Sequence, residues 1–207
     1  MLTRLLNNFR HPKGFVGALL ARMMNVGHRS MTRQALRRLG IKEGDVALDI
    51  GCGGGEAIAL MAAAGATVYG IDLSPTSVEV ARAKNRAAIA EGRVHIEQAC
   101  VDAAPFGENM FDWVTAFETV YFWDNLQTGF SHTLRMLKPG GWFAVVLEAY
   151  LENGTKKNCP ALFNGLHLNL YSAEDLRGFA ERAGFAETSF FKGGKSNWLC
   201  FCCRKSL

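Results

Sequence analysis

The stretch Val46 to Gly55, VALDIGCGGG, constrains this chain more than any other. An apolar run leads into Asp49, a glycine-dense turn follows, and Glu56 to Ala64 can wind as a helix. Strand, glycine turn and helix form the local plan of a nucleotide-binding crossover. Glycine supplies positive φ there and lets a ligand lie directly against the backbone. The helix that follows offers unpaired N–H groups to an anionic or carboxylate-bearing ligand. A dinucleotide fingerprint requires G-x-G-x-x-G. Gly51 and Gly53 fit it, but the third slot is Glu56, and the run reads D-x-G-x-G-x-G instead.

A second carboxylate supports a nucleoside ligand. Thr67 to Asp72, TVYGID, reads as a β-strand ending on Asp72, 21 residues after Gly51. An acidic residue about 20 positions on takes the ribose hydroxyls in such crossovers. A carboxylate is acceptor-only and can take both at once. Ser74 as cap and Pro75 at the first helical position predict a helix running to about Ala90. Arg93–Ala99 and Phe111–Glu118 read as the third and fourth strands, and Trp142–Glu148 as the fifth. Asp124 is placed to cap the helix between the last two, with Leu126, Phe130, Leu134 and Leu137 as its stripe. Ser172 and Asp175 have capping-box spacing at the start of a helix that Gly184 ends. Phe185–Phe191 and Asn197–Arg204 then form a hairpin. Tyr150–Leu170 is the least regular stretch, and Asn164, His167 and Tyr171 are its weak site candidates.

With Asp49, Gly51, Gly53, Gly55 and Asp72 in place, the chain resembles the class I S-adenosylmethionine-dependent methyltransferases, in particular a type 11, quinone-biosynthesis-like small-molecule branch. The resemblance covers residues 41–207 well and 15–40 loosely. It implies an α/β fold: a Rossmann-like, doubly wound, seven-stranded sheet with the last strand antiparallel and a small N-terminal helical cap. It implies S-adenosyl-L-methionine as cofactor. Cys52 and Leu73 complete the cradle, Asp102 accepts the adenine amino group between Val101 and Ala103, and Phe117 borders the ligand. LKPGG, Leu137 to Gly141, is the turn the family places before its fifth strand. Met24 to Leu36 resembles the branch's lead-in segment, which brings Asn25 and His28 to the mouth of the site. Glu118 and Tyr121, with Phe122 and Trp123, fall at the carboxyl edge of the sheet, where such folds bind ligands. His28, Glu118 and Tyr121 are the catalytic candidates.

Bulk properties set the remaining bounds. The 207 residues suit one domain, 41–207, with a basic extension, 1–40. No apolar run approaches the ~18 residues of a membrane span. The six cysteines, with no secretion signal, point to reduced thiols in a cytoplasmic protein. Cys200 and Cys203 form a CxxC inside an alternating strand, which favours buried thiols over a metal site; no metal-ligand set or nucleophile triad is evident. Nine Lys or Arg residues precede the first acidic residue, Glu43. That arm suits a solvated helical face, an anionic partner or a targeting peptide. Glu118 stands in FETV, not in the Asn/Asp-Pro-Pro-Tyr/Phe signature of nucleic-acid amine methylation, so the expected partner is a small-molecule acceptor and no nucleic acid. The oligomeric state is open, a homodimer included. Methyl transfer is the favoured activity. A non-catalytic nucleoside-binding regulator is the first alternative, and an NAD-linked oxidoreductase the second, disfavoured by Glu56.

Overall fold

The computed structural model describes residues 28–158, 168–194 and 197–207. The candidates Asn25, Asn164 and His167 lie outside these. The chain divides into two compact units, Met1–Ala104 and Pro105–Leu207.

In the first unit, residues 28–39 are helical (α1). Met31, Thr32, Ala35 and Leu36 face inward, and Arg33, Arg37 and Arg38 face out. His28 is already helical, and the Ser30 hydroxyl accepts the Gln34 side-chain amide. Gly40 closes the helix at φ +77°, the left-handed geometry that suits glycine after a helix. β1 (Val46–Ile50) and β2 (Thr67–Asp72) pair in parallel, and β2 pairs in parallel with β3 (Val94–Gln98). Between β1 and β2 runs α2 (Glu56–Ala63). β1 is almost wholly buried, as expected of a parallel strand covered on both faces, whereas β3 alternates buried Val94 and Ile96 with exposed His95 and Glu97. A Cβ at Gly70 would meet Ile58 Cδ1 at 2.3 Å, so this glycine lets α2 lie on the sheet.

The predicted helix Pro75–Ala90 begins as expected, with the Ser74 hydroxyl accepting the Ser77 N–H at 3.2 Å. It is broken at Asn85 into α3 (Pro75–Lys84) and α4 (Arg86–Ala90). Asn85 is buried, and its amide donates to the carbonyls of Ala81 (2.9 Å) and Gly55 (3.1 Å). Asn side chains compete with helical backbone bonding in this way.

In the second unit, β4 (Phe111–Phe117) pairs in parallel with β5 (Leu137–Leu147). LKPGG is drawn into β5 around a register shift opposite Phe111 and Trp113, rather than preceding the strand. Asn125, not Asp124, caps α5 (Leu126–Met136) by accepting the Thr128 N–H at 3.0 Å. Leu137 has therefore left the helix, and Gly129, Thr133 and Met136 join Leu126 and Phe130 on the buried face. A Cβ at Gly129 would sit 2.3 Å from the Trp123 indole, which stacks on Phe143 with centroids 6.3 Å apart. Trp123 is thus core packing, not part of the exposed edge.

The stretch expected to be irregular holds a small hairpin, β6 (Tyr150–Glu152) with β7 (Thr155–Lys157). Its turn is Asn153-Gly154, with φ of +49° and +72°, the positive pair that a two-residue hairpin of this type needs. α6 (Ala173–Ala183) has the predicted Ser172–Asp175 capping box and ends at Gly184, φ +101°. β8 (Glu187–Gly193) and β9 (Trp198–Arg204) form the final hairpin, and β9 runs antiparallel to β5. Cys200, Cys202 and Cys203 are buried in it as free thiols. The seven long strands have the order β3-β2-β1-β4-β5-β9-β8, the expected mixed α/β sheet.

Candidate active site

In the first unit the candidate site gathers at the carboxyl ends of β1 and β2. Gly51, Gly53 and Gly55 all have positive φ, +69°, +52° and +77°, so the turn has the backbone that its glycines promised. The Ile71 carbonyl accepts the N–H groups of both Gly51 (2.8 Å) and Cys52 (3.0 Å), which ties the turn to β2. Asp72 completes the tie. Its Oδ2 accepts the Gly53 N–H at 2.9 Å and its Oδ1 accepts the Ser74 N–H at 2.8 Å. The carboxylate expected to grip a ligand thus also holds together the two loops beside it. A carboxylate has about four acceptor directions, so these two bonds do not saturate it.

The glycines are required for different reasons. At Gly55 a Cβ would meet Asn85 Nδ2 at 2.6 Å and the Ala81 backbone at 3.0 Å, so this position is closed by α3. At Gly53 a Cβ would meet nothing within 4 Å among the described residues. The loop is therefore open at Gly53, beside the Asp72 carboxylate, and these residues fit a ligand laid against bare backbone.

The Cys52 side chain faces the sheet. It is buried toward Gly70, whose added Cβ would lie 3.3 Å from its sulfur. Burial, aided by the Asp72 and Asp49 carboxylates, raises its thiol well above the ordinary value, so it stays protonated, and only its backbone is available to a cradle. Asp49 is buried in β1. Leu73 is 50% exposed, a large apolar side chain in solvent directly after Asp72. Val101–Ala103 forms a single 3₁₀ turn in which Val101 is buried and Asp102 and Ala103 are exposed. His28 lies half-buried in α1, not in a loop.

Two residues of this region were missed in the sequence. Asn85 braces the turn from below through the Gly55 carbonyl. Glu56 opens α2, is buried, and is paired with Arg29 Nε at 2.9 Å and Lys84 Nζ at 2.6 Å. The residue that breaks the dinucleotide spacing is thus a neutralised anion at a helix N-terminus, where the helix dipole also favours it. An acid at the first helical position was the available signal.

In the second unit the candidate residues gather after β4. Phe117 ends the strand half-buried, and Glu118 follows at φ +56°. Among the described residues the other non-glycine positions with positive φ are all Asn; for a glutamate this conformation is strained. Several bonds hold it. The Glu118 N–H donates to the Val146 carbonyl at 2.9 Å, and Glu118 Oε1 accepts the Glu148 N–H. The Tyr121 hydroxyl donates to the Ala149 carbonyl at 2.8 Å and lies 3.1 Å from Glu118 Oε1. Tyr121 is buried, and burial together with the Glu118 carboxylate raises its hydroxyl well above the ordinary value. Glu148, which the sequence reading did not single out, brings a second carboxylate within 4.8 Å of Glu118.

Left-handed glycines at the end of a parallel strand, next to a strand-end carboxylate, stand where α/β sheets bind their ligands. Residues 48–145 match the family described as a methyltransferase domain. An uncharacterized methyltransferase of Synechocystis sp. is 37% identical over 144 residues, 67% of this chain and 64% of that one. An O-methyltransferase of Penicillium expansum is 32% identical over 164 residues, 77% of this chain and 58% of that one. This chain thus spans about three-fifths of the length of each. In fold, it is similar to phosphoethanolamine N-methyltransferase 2 of Haemonchus contortus, solved in complex with S-adenosyl-L-methionine. There the TM-score is 0.73 at 20% identity, over 86% of this chain and 53% of that one. The methyltransferase-domain match and these methyltransferase relatives support a class I S-adenosylmethionine-dependent methyltransferase.

Proposed function

We propose that this chain transfers the methyl group of S-adenosylmethionine to an oxygen of a small-molecule acceptor by direct displacement, with S-adenosylhomocysteine as co-product. The observation that carries the reading is the open backbone at Gly53 next to the Asp72 carboxylate. The choice of oxygen is supported by the Penicillium relative, an O-methyltransferase.

The bound cofactor supplies a methyl group already activated on a sulfonium. The protein therefore has to align, desolvate and manage one proton. Asp49, Gly51, Cys52 (through its backbone), Gly53 and Gly55 form the cradle for the amino-acid tail. Asp72 takes the ribose hydroxyls from a carboxylate already fixed by two backbone bonds. Leu73, Val101 and Ala103 supply apolar walls for the adenine, Asp102 accepts from its amino group, and Phe117 borders it. Alignment of this kind supplies roughly 7–11 kcal/mol of a barrier.

A hydroxyl acceptor gives up its proton as the new O–C bond forms. Glu118 and His28 are the groups able to receive it. Tyr121 acts as a positioning residue: buried, with its hydroxyl directed to the Ala149 carbonyl and Glu118, it fixes the carboxylate rather than meeting the acceptor.

Calorimetry with S-adenosylhomocysteine is the first test, and absence of binding by the purified protein rules the reading out. Incubation with labelled S-adenosylmethionine and a metabolite extract is the second. Release of S-adenosylhomocysteine with label on a small molecule is the expected result; binding without release would identify a non-catalytic module.

A further inference from the structure

We propose that the outer face of α1 is a docking surface for an anionic phospholipid bilayer. Arg29, Arg33 and Arg37 follow one another at four-residue steps, so they form a single line along the helix. With Ser30 and Gln34 they line an open groove of about 470 Å³. All three are exposed, while Met31, Thr32, Ala35 and Leu36 bury the opposite face.

Like charges at this spacing work against the helix that carries them. Arg29 has Glu56 at 2.9 Å as partial relief, but an acid at position 33 or 37 would stabilise α1 and arginine stands at both. An anionic surface turns that arrangement favourable. The charge distribution points the same way. Of the 23 basic side chains nine fall in the first 42 residues, which contain none of the 19 acidic ones, so the rest of the chain is net acidic. The arm carries the charge that is complementary to a negative surface.

The choice of a bilayer over nucleic acid comes from what stands between the cations. Upstream of α1 the sequence interleaves them with Leu5, Leu6, Leu19 and Leu20, side chains that suit an acyl boundary. Single-stranded nucleic acid calls for aromatic stacking platforms, and the first 42 residues hold two aromatics, Phe9 and Phe15.

The test is flotation of the full chain with vesicles of phosphatidylcholine alone or mixed with phosphatidylglycerol. Binding to the mixed vesicles only, lost as salt rises, is expected. The variant R33Q/R37Q leaves the Arg29–Glu56 pair in place. It should bind the mixed vesicles about 25-fold more weakly, about fivefold per arginine, with a thermal melt no lower than the parent's, since the like-charge repulsion along the helix is relieved. Equal binding to neutral vesicles, insensitivity to R33Q/R37Q, or stronger retention of a DNA or RNA oligomer than of vesicles at the same salt would each overturn the proposal.

Discussion

Asp72 and Glu118 stand at corresponding points of two different regions. Each follows or ends a parallel strand at its carboxyl end, and each accepts backbone N–H bonds. They are built in opposite ways. Asp72 needs no unusual backbone of its own; the glycines around it absorb the positive φ, and it staples its own loop at Ser74 to the glycine turn at Gly53, 19 residues earlier. Glu118 carries the positive φ itself and is held by partners 28 to 30 residues from the loop that bears it, at Val146, Glu148 and Ala149. The first arrangement is a pair of loops fixed by one carboxylate. The second is a strained carboxylate whose direction depends on the end of a neighbouring strand, a feature typical of positions where chemistry sets the geometry.

The largest expected effect lies inside the cradle, between two glycines that look equivalent in sequence. Gly55→Ala places a Cβ 2.6 Å from Asn85 at φ +77° and should cost about 2–4 kcal/mol of stability. Gly53→Ala meets no atom of the described residues within 4 Å and should cost only about 1–2 kcal/mol for its left-handed backbone, yet weaken S-adenosylhomocysteine binding at least as much as Gly55→Ala does. Thermal melts and calorimetry on the pair separate packing from ligand approach. Equal stability losses would mean that the open side of Gly53 has no significance.

Next comes Asp72→Asn. The two carboxylate oxygens accept different N–H groups, and an amide has one oxygen to offer, so either Gly53 or Ser74 loses its acceptor. Cofactor affinity should fall roughly ten- to a hundredfold, read by calorimetry. The matching change in the second region, Glu118→Gln, keeps an oxygen for the Glu148 N–H but removes the proton acceptor. It should lower kcat roughly a hundredfold with S-adenosylhomocysteine affinity unchanged. A variant that loses affinity and keeps kcat would reverse the roles assigned to the two carboxylates.

The same contrast explains what could be read from the chain. The glycine turn was legible because its parts are local: three glycines, a strand-end acid, and Ser74-Pro75 as a cap all speak through backbone rules. So did the Ser172–Asp175 capping box. What stayed hidden depends on distant partners. Asn85 reads as one more residue of a helix until Gly55 presents its carbonyl, and Trp123 reads as an edge aromatic until Gly129 makes room for it. Glu148 gains meaning only when β5 ends beside Glu118. The Asn153-Gly154 hairpin is a different case: its turn signal was present, but its flanking strands of three residues each lack the alternation that marks a strand.

The smallest effect tests how Glu118 is held. Tyr121→Phe leaves the buried Ala149 carbonyl without this donor, worth about 1–2 kcal/mol, and should lower the melting temperature by a few degrees. It also has a pH signature. The Tyr121 hydroxyl is raised by burial above its ordinary value of 10.0, and the Cys52 thiol above its ordinary 9.0. In both cases the unfolded chain ionises first as pH rises, so the folded state binds more protons there and loses stability with increasing pH. The contribution is whole below about pH 9. Cys52 begins to lose its share above that, and Tyr121 above about pH 10. Melts from pH 8 to 11 should therefore fall more steeply for the parent than for Tyr121→Phe above pH 10, and alike below it. Parallel curves throughout would mean that the hydroxyl ionises as it would in water, and that Glu118 is not held by a closed, dry contact.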